Sequence, residues 1–214
     1  MRKYKDKYRG RTAFILGSGP SIANLDLSLI RHELIFTVNA TTLLQEKFDL
    51  KTEFFCTSDT RFLTSEHRDL ATTRVHPQSK RLVRDVLRPY DDPALSGQTH
   101  YIATLGKNGF SKDITRGFYF WCTSISIPIQ MAWHLGVSKI VLLGVDLSYP
   151  KSQPRFYQEE KTQPVDPFVG VQIKNIADAA RIFESDGREF IVCSPRSMLR
   201  PYVNYRSYDA LVCD

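Results

Sequence analysis

The sequence predicts an α/β domain in which helices cover both faces of a mostly parallel sheet. Short apolar runs without polar alternation recur along the chain, and amphipathic segments of helical period follow several of them. Unalternated runs are typical of strands that are buried on both faces, as in parallel sheets. The runs also end in small polar residues, which is where an open α/β sheet forms its ligand crevice.

The length of 214 residues favours one domain with a sizeable core. We divide the chain into a basic N-terminal tail at 1–11 and an α/β domain at 12–214. Two less regular segments interrupt this domain. The first, at 72–118, is rich in glycine and proline, and we interpret it as an insertion that serves as a lid or binding loop. The second, at 148–170, holds four prolines, and we expect it to be a lid that a bound donor orders.

The composition predicts a cytoplasmic protein. No apolar stretch approaches the roughly 20 residues of a membrane span, and no apolar segment follows the basic N-terminus as a secretory signal requires. The four cysteines are scattered without C-x-x-C spacing, so we predict reduced thiols rather than disulfides or a zinc site. These residues are Cys56, Cys122, Cys193 and Cys213.

The net charge of +6 is concentrated in two clusters. One comprises the cations of residues 1–11, and the other comprises Lys80, Arg81, Arg84 and Arg88. The simplest interpretation is a solvated tail and a solvated helix face. The alternative is attraction to an anionic partner, namely a membrane surface, a nucleic acid or a phosphorylated substrate. Nucleic acid is disfavoured because the tail lacks the pattern of an RNA-binding motif.

Apolar, β-branched runs predict the strands, and spacing of three to four residues between apolar positions predicts the helices. The predicted strands are 13–16, 34–38, 53–56, 139–143 and 189–193, with shorter ones at 81–86 and 100–103. One predicted helix starts at Ser21, and three others span 64–70, 123–135 and 173–183.

A glycine loop joins the first strand to the first helix. It reads Gly17, Ser18, Gly19, Pro20 and Ser21, with Ser21 as the predicted N-cap. The free amides at a helix start suit a phosphate, so these residues are candidates for substrate binding. The dinucleotide fingerprint is not matched, and no Gly-Lys-Ser/Thr of a P-loop follows. A plain strand-to-helix turn is an equally good interpretation of the loop alone.

Five predicted strands end in polar or glycine residues that should meet at one edge of the sheet. Beyond Gly17 and Ser18, the candidate ligand-binding residues at these ends are Asn39, Ser58, Asp59, Gly144, Val145, Asp146 and Ser194. No Asp-x-Asp accompanies Asp146, so we predict a structural or ribose-binding role for it rather than metal binding, and no metal site is predicted. Asp59 is interpreted either as a residue that orients a sugar hydroxyl or as a turn residue.

Three stretches give the chain a resemblance to the bacterial sialyltransferases of glycosyltransferase family 42 and to related uncharacterised proteins. They are the loop 17–21 with strand 34–39, the Thr123-Ser124 pair with the stretch 134–146, and the stretch 190–199. The resemblance implies a single Rossmann-like domain that transfers sialic acid from a CMP-activated donor without an obligatory metal or further cofactor. It also implies modification of a surface glycan, as in lipopolysaccharide biosynthesis.

The resemblance assigns parts of the donor to individual residues. Ser18 and Asn39 would face its phosphate and nucleotide, and Ser58 and Asp59 would lie near the transferred sugar. Thr123 and Ser124 would contact the sugar carboxylate or the cytidine phosphate, Gly144 and Val145 the base and ribose, and Tyr157 the leaving phosphate. The partners that we predict are the nucleotide-sugar donor, a glycan or lipid-linked acceptor, the anionic inner membrane face at the periphery, and a further copy of the chain.

The chain departs from the family pattern at three places. Ser18 stands where the family usually has Asn, and Trp121 stands where it has Arg. No histidine follows His134, so the catalytic base is missing from its usual segment. Asp166 is our first candidate for a displaced base, with Tyr157 and His100 as alternatives, and Tyr157 fits better as a phosphate donor.

Two other functions remain open from the residues alone. One is a phosphotransferase of the pterin pyrophosphokinase type, in which Asp59 and Asp146 would hold magnesium on a nucleoside triphosphate. The other is a nucleotide- or glycan-binding protein that has lost catalysis, which the missing histidine would permit.

Overall fold

The computed structural model describes residues 1–148, 155–158 and 166–213. The strands are β1 (Thr12–Leu16), β2 (Leu34–Val38), β3 (Phe54–Thr57), β4 (Lys80–Arg84), β5 (Thr99–Ile102), β6 (Thr104–Gly106), β7 (Phe118–Tyr119), β8 (Lys139–Leu143), β9 (Glu189–Val192) and β10 (Asn204–Tyr205). The α-helices are α1 (Thr42–Phe48), α2 (Arg61–Thr64), α3 (Arg68–Ala71), α4 (Ser126–His134), α5 (Val169–Ser185) and α6 (Tyr208–Val212).

The predicted α/β fold with a parallel sheet is confirmed. Eight strands lie in the order β10-β9-β8-β1-β2-β3-β4-β5, and every neighbouring pair is parallel. The chain winds outward from β1 to β5 in one direction and then from β8 to β10 in the other. The strand order therefore reverses between β1 and β8, and the carboxyl ends of these two strands form a topological switch point.

Helices bury both faces of this sheet, as the unalternated strand sequences predict. On one face, α4 and α5 pack against side chains such as Ile15, Phe36 and Leu142. On the other face, α1 and α6 cover Leu16 and Leu143, while α2 and α3 cover the far end of the sheet. The two outer strands β4 and β5 come from the segment 72–118, so part of the predicted insertion belongs to the main sheet.

Two predicted helices differ from the observed ones. The segment after the glycine loop forms two short 3₁₀ helices, Pro20–Asn24 and Leu27–Ile30, rather than one α-helix. Gly19, and not Ser21, occupies the N-cap position, because the Ser21 side chain is bonded elsewhere. The predicted helix 64–70 is divided into α2 and α3, and Thr64 ends the first of these instead of capping a helix.

Residues 1–11 were predicted to be a solvated tail, but the structure packs them against the domain. The ring of Tyr4 is buried against Phe54. The Asp6 and Tyr8 amides donate to the carbonyls of His134 and Leu135 at the end of α4. This ordering has a simple cause: a large aromatic side chain among the cations provides apolar surface that is more stable when buried. The lysines and arginines of the segment stay exposed.

The interpretation of the second basic cluster as a solvated helix face is wrong for the residues in the sheet, and the short strand predicted at 81–86 overlaps the observed β4. The first residues of this cluster form β4, a strand inside the sheet. Arg81 is fully buried, and its guanidinium donates in bidentate fashion to Asp91 with N–O distances of 2.7 and 2.8 Å. Arg81 also donates to the carbonyl of Ala71 and to Thr99. Arg81 thus joins β4 to α3 and β5 through hydrogen bonds and to Asp91 through a buried ion pair.

No helix in the ranges 1–148, 155–158 and 166–213 has both the length and the apolar character needed to cross a bilayer. Cys56, Cys122, Cys193 and Cys213 are free thiols in the structure. Most of the predicted lid at 148–170 lies outside the described residues.

Candidate functional site

A cavity of about 330 Å³ opens at the carboxyl ends of the strands, at the switch point between β1 and β8. This is the edge at which the sequence placed the ligand crevice. Of the predicted site residues, those that line the cavity are Gly17, Ser18, Gly19, Asn39, Ser58, Asp59, Thr123, Ser124, Gly144, Val145, Asp146, Tyr157 and Asp166. Pro20, Ser21 and Ser194 are not among the lining residues.

Gly17 and Gly144 bring the loops after β1 and β8 into direct contact. A Cβ atom on Gly17 would lie 2.6 Å from the Gly144 carbonyl oxygen, and a Cβ on Gly144 would lie 2.5 Å from that of Gly17. Gly144 also has a φ of +65°, which side chains rarely adopt. Glycine is therefore required at both positions because the two loops approach each other so closely. Both loops line the cavity.

Asp146 ties the glycine loop to the end of β8. Its Oδ2 accepts from the Ser21 amide at 2.9 Å, and its Oδ1 accepts from the Ser21 hydroxyl at 2.6 Å. Ser21 Oγ also lies 2.9 Å from Ser194 Oγ. This network agrees with the structural role that we predicted as one option for Asp146.

The same network corrects our expectation for the loop amides. We expected the amides from Gly19 to Ser21 to bind phosphate. The Gly19 amide instead donates to the Gly144 carbonyl at 2.7 Å, and the Ser21 amide donates to Asp146. Proline has no amide hydrogen at position 20. These amides are used inside the chain, so a phosphate at this edge has to be bound by other groups.

Ser58 and Ser124 connect the end of β3 to the segment that leads into α4. The Ser58 amide donates to Ser124 Oγ at 2.9 Å, and the two hydroxyl oxygens lie 2.8 Å apart. Thr123 lies beside them on the cavity wall. The strand-end pattern predicted Ser58 and the resemblance predicted Thr123 and Ser124, and the hydrogen bonds bring the end of β3 together with the segment before α4.

Asp59 is held by a neighbour that the sequence analysis did not select. Arg61 donates to it from Nε at 3.1 Å and from Nη2 at 2.6 Å, and the Arg61 amide donates to Oδ1 at 3.0 Å. The amide bond is that of a turn residue, which was one of the two interpretations of Asp59. Both residues line the cavity, so the pair brings a guanidinium to its wall.

Unusual backbone conformations are concentrated around the cavity. Four non-glycine residues there have positive φ angles, at +54° for Asn39, +52° for Trp121, +56° for Cys122 and +57° for Leu147. Conformations of this kind persist only where the surrounding structure enforces them, and they are common at functional sites. The Trp121 ring is fully buried, with its Nε1 donating to the Gly109 carbonyl at 2.7 Å. Trp121 therefore does not replace the family's arginine in the cavity.

Three arginines line the cavity: Arg61, Arg84 and Arg155. The Arg84 guanidinium lies over the ring of Phe120, 4.1 Å from its centroid, and donates from Nε to Thr104 at 3.0 Å. Guanidinium groups bind phosphate oxygens well because they are planar and always charged. For Arg84 we had left open a solvated face or attraction to an anionic partner, because its neighbours in space follow from the pairing of β4 and not from local spacing.

Asp166 and Tyr157 reach the cavity from the two sides of the segment 159–165. Asp166 Oδ1 accepts from the Phe168 amide at 2.8 Å, and Oδ2 accepts from Gln172 Nε2 at 2.7 Å. The ring of Tyr157 packs edge-on against His67, with a centroid distance of 6.3 Å. Both candidates for the displaced base are thus on the wall of the cavity.

His100, the third candidate, lies elsewhere. It is on β5, 6.1 Å from the ring of Tyr4, and it is not a lining residue. Burial and the neighbouring cations lower the pKa of His100. The geometry therefore removes His100 from the site.

Gln172 and Cys122 are among the lining residues that were not predicted from the sequence. Gln172 lies on α5 with 1% of its surface exposed. Its Oε1 and the Oδ1 of Asn39 are buried oxygens that have no hydrogen-bond partner within the described ranges. Buried acceptors of this kind are rare in native structures, and both belong to lining residues.

Solved structures share this fold. The MAf glycosyltransferase from Magnetospirillum magneticum AMB-1 is similar at a TM-score of 0.62 and 15% identity, over 98% of this chain and 37% of that one. The sialyltransferase CstII from Campylobacter jejuni, solved with the substrate analogue cytidine-5'-monophosphate, is similar at a TM-score of 0.55 and 12% identity, over 92% and 85%. This chain thus spans little more than a third of the first protein. At such identities the likeness is one of fold, which is Rossmann-like.

At the level of sequence, the model of a family described as 6-hydroxymethylpterin diphosphokinase MptE-like matches residues 1–152. No curated relative matches the chain.

Proposed function

We propose that this chain, which belongs to the MptE-like family, is a glycosyltransferase whose donor is a CMP-activated sugar. The sialyltransferases that its motifs resemble are a different family. The observation that carries the proposal is the cavity at the switch point. It combines three arginines with hydroxyl groups from three strand or helix ends and with buried amide oxygens that have no donor among the residues that the structure describes. A nucleotide-sugar carries both anionic phosphate and hydrogen-bond donors, so it complements both features.

The roles follow from the chemistry of the wall. Arg84 and Arg155 suit the anionic phosphate of the donor, and Arg61, which is paired with Asp59, adds a further guanidinium to the wall. Asn39 Oδ1 suits an N–H or O–H donor of the base or ribose. The volume of about 330 Å³ lies in the range of small-molecule sites.

The proposed transfer is a displacement at the anomeric carbon. The bond from that carbon to the phosphate oxygen breaks, and CMP leaves with the electron pair. The acceptor hydroxyl oxygen forms the new bond and loses its proton to a base, which we assign to Asp166. The arginines stabilise the charge that develops on the leaving phosphate.

The family description favours a second candidate, a diphosphokinase that acts on a pterin alcohol. Such a reaction implies magnesium on a nucleoside triphosphate, with Asp59 and Asp146 as the proposed ligands. These residues do not fit that role well, because Asp59 is paired with Arg61 and both Asp146 oxygens accept from Ser21. Within the described ranges, no group of three or more histidine, cysteine or acidic side chains is placed to hold a metal.

Thermal unfolding with CMP, UDP, GDP and ATP, each with and without magnesium, tests the proposal. We expect CMP alone to raise the melting temperature, because a ligand at about 100 times its Kd stabilises the folded state by about 2.7 kcal/mol. UDP and GDP should have smaller effects. A shift that occurs only with ATP and magnesium would contradict the proposal and support the diphosphokinase. A protein that binds CMP but transfers no sugar would be a binding protein without catalysis.

We also propose a peripheral membrane contact through the exposed cations of residues 1–11. These residues contact the end of α4 and precede β1, so they lie at the amino edge of the sheet, opposite the cavity. Each cation near an anionic surface contributes about 1 kcal/mol at low salt. Lys3→Gln/Lys5→Gln should therefore weaken binding to phosphatidylserine vesicles by roughly 30-fold.

Arg196→Gln/Arg200→Gln is the matched control for this experiment, because it removes two exposed cations from another surface. Substitution of the lysines is preferable to removal of residues 1–11, because Tyr4 is part of the core. Equal losses in the two double variants would show that only the net charge matters.

A further inference from the structure

Within residues 1–148, 155–158 and 166–213, buried side-chain amide oxygens have hydrogen-bond partners, with the exceptions of Asn39 Oδ1 and Gln172 Oε1. Gln130 is fully buried, and its oxygen accepts from the amides of Ser111 and Tyr119, each at 3.0 Å. Its Nε2 donates to the carbonyls of Tyr119 and Ser126. Gln45 likewise uses both ends. Gln45 and Gln130 therefore have structural roles, because the fold satisfies both the oxygen and the nitrogen of each side chain.

Gln172 uses only its nitrogen. Nε2 donates to the Cys122 carbonyl at 3.0 Å and to Asp166 Oδ2 at 2.7 Å. Because both partners are acceptors, the amide orientation is determined by the network, and Oε1 cannot exchange places with Nε2. Oε1 has no hydrogen-bond partner in the part of the chain that the structure describes, although only 1% of the surface of Gln172 is exposed.

The position of Gln172 points to a ligand as the missing partner. Gln172 lines the cavity together with Asp166 and Cys122. An acceptor that has lost its hydration and gained no donor is unfavourable. A bound molecule that carries a hydroxyl at this place would supply the donor. Gln172 donates to Asp166, the proposed base, so the proposed function puts this hydroxyl in the reacting part of the ligand rather than in the nucleotide.

We infer that Gln172 has two roles in the proposed transfer: Oε1 accepts a hydrogen bond from a hydroxyl of the donor's sugar, and Nε2 positions the Asp166 carboxylate. This inference rests on the proposed function and adds to it a residue that distinguishes the intact donor from free CMP. Gln172 is thus a sugar-contacting residue and a positioning residue for Asp166.

The test compares two probes in the Gln172→Met variant by titration calorimetry: CMP, and a 3-fluoro analogue of CMP-sialic acid that is not transferred. Met has a similar volume but no acceptor oxygen. We expect the affinity for the analogue to fall about tenfold, while the affinity for CMP stays within about twofold of the wild type. The measured quantity is the ratio of the two affinities, which a general loss of stability would not change.

Asn175→Leu is the matched control, since Asn175 lies one turn further along α5 and is equally buried. Its Oδ1 accepts from the Gly109 amide, and its Nδ2 donates to Asn108 and to the Val171 carbonyl. This variant should unfold at a lower temperature with an unchanged affinity ratio.

A second variant, Gln172→Glu, tests the positioning role. The substituted side chain would keep an acceptor oxygen at the position of Oε1, but it would replace the Nε2 donor that bonds Asp166 by a second carboxylate oxygen. We expect it to bind the analogue within about threefold of the wild type and to lose turnover about tenfold or more. If Gln172→Met does not fold, this variant still tests the inference, because unchanged turnover would contradict it.

The failures of the two proposals can be told apart. A wild-type protein that binds neither CMP nor the analogue would refute the proposed function and this inference together. A wild type that binds both probes, with an unchanged ratio in Gln172→Met, would overturn the role of Gln172 alone.

Discussion

Asp166→Asn is expected to lower the turnover of CMP-sugar by at least about 100-fold, because positioned bases typically contribute about 10² to 10⁴-fold in rate. A carboxylate serves as base in other sugar-transfer reactions when it lies opposite the leaving group. The oxygens of Asp166 are oriented by Phe168 and Gln172, and the residue lines the cavity. The measurement is hydrolysis or transfer of the donor by the purified variant.

The affinity for CMP should stay unchanged in this variant, because Asp166 is assigned to the proton of the acceptor and not to the nucleotide. The substitution keeps the oxygen that accepts from the Phe168 amide but places a donor opposite Gln172 Nε2. The unfolding curve is therefore recorded in parallel, to separate a lost base from a disturbed wall.

His100→Ala is the control for the rate measurement, because His100 lies on β5 outside the cavity. We expect much smaller changes in its turnover. A fully active Asp166→Asn would remove Asp166 from the mechanism, and the base would then have to be sought among the other cavity residues.

Arg81→Leu is expected to lower the free energy of unfolding by about 3 to 5 kcal/mol, which corresponds to a fall in Tm of roughly 10 °C. The substitution leaves the Asp91 carboxylate buried without its cation, and the Ala71 carbonyl loses its donor. Denaturation by urea, followed by circular dichroism, measures the change.

Arg74→Ala is the matched control, because Arg74 makes two ion pairs that are largely exposed, with Glu46 and Asp69. Exposed pairs contribute about 0 to 1 kcal/mol. A loss in Arg81→Leu that is no larger than the loss in the control would show that the buried pair does not hold β4 and β5 to the sheet.

The same pair predicts a dependence of stability on pH. Burial alone would raise the pKa of Asp91, but hydrogen bonds and charge from Arg81 outweigh it, and the pKa is lowered. A lowered pKa in the folded state means that the contribution is present above the pKa of the unfolded chain. It is lost as the pH falls through the lower value. Acid unfolding of the wild type should therefore be steeper than that of Asp91→Asn.

The central strands were predictable because each is a local apolar run. The bounds of β2 and β8 were predicted without error, and those of β1, β3 and β9 within one residue. Nine of the predicted site residues, those that follow β1, β2, β3 and β8, line one cavity for a related reason, whereas the resemblance supplied the other four that line it. The polar ends of parallel strands must share an edge once the strands form one sheet, and the sequence shows where each strand ends.

Residues whose partners are distant along the chain were beyond such reasoning. Arg81 was interpreted as a surface cation, since nothing local to it indicates that Asp91 and Ala71 surround it in space. Ser21 was interpreted as a helix cap, and its hydroxyl instead bonds Asp146, which lies 125 residues further on. A lone basic or hydroxyl side chain is ambiguous in sequence, because its protonation and hydrogen bonds depend on what the fold places around it.

By itself, the sequence determined the layered α/β architecture, the strand cores and the edge that carries the site, because burial of apolar runs is a local property that their period and length express. Only the tertiary structure decided which polar groups meet at that edge. It engaged the loop amides within the chain, brought three arginines to the cavity and left the oxygen of Gln172 without a donor from the described part of the chain. Directional bonds of this kind require atoms about 3 Å apart, and that proximity arises from the order of the strands, which no local pattern encodes.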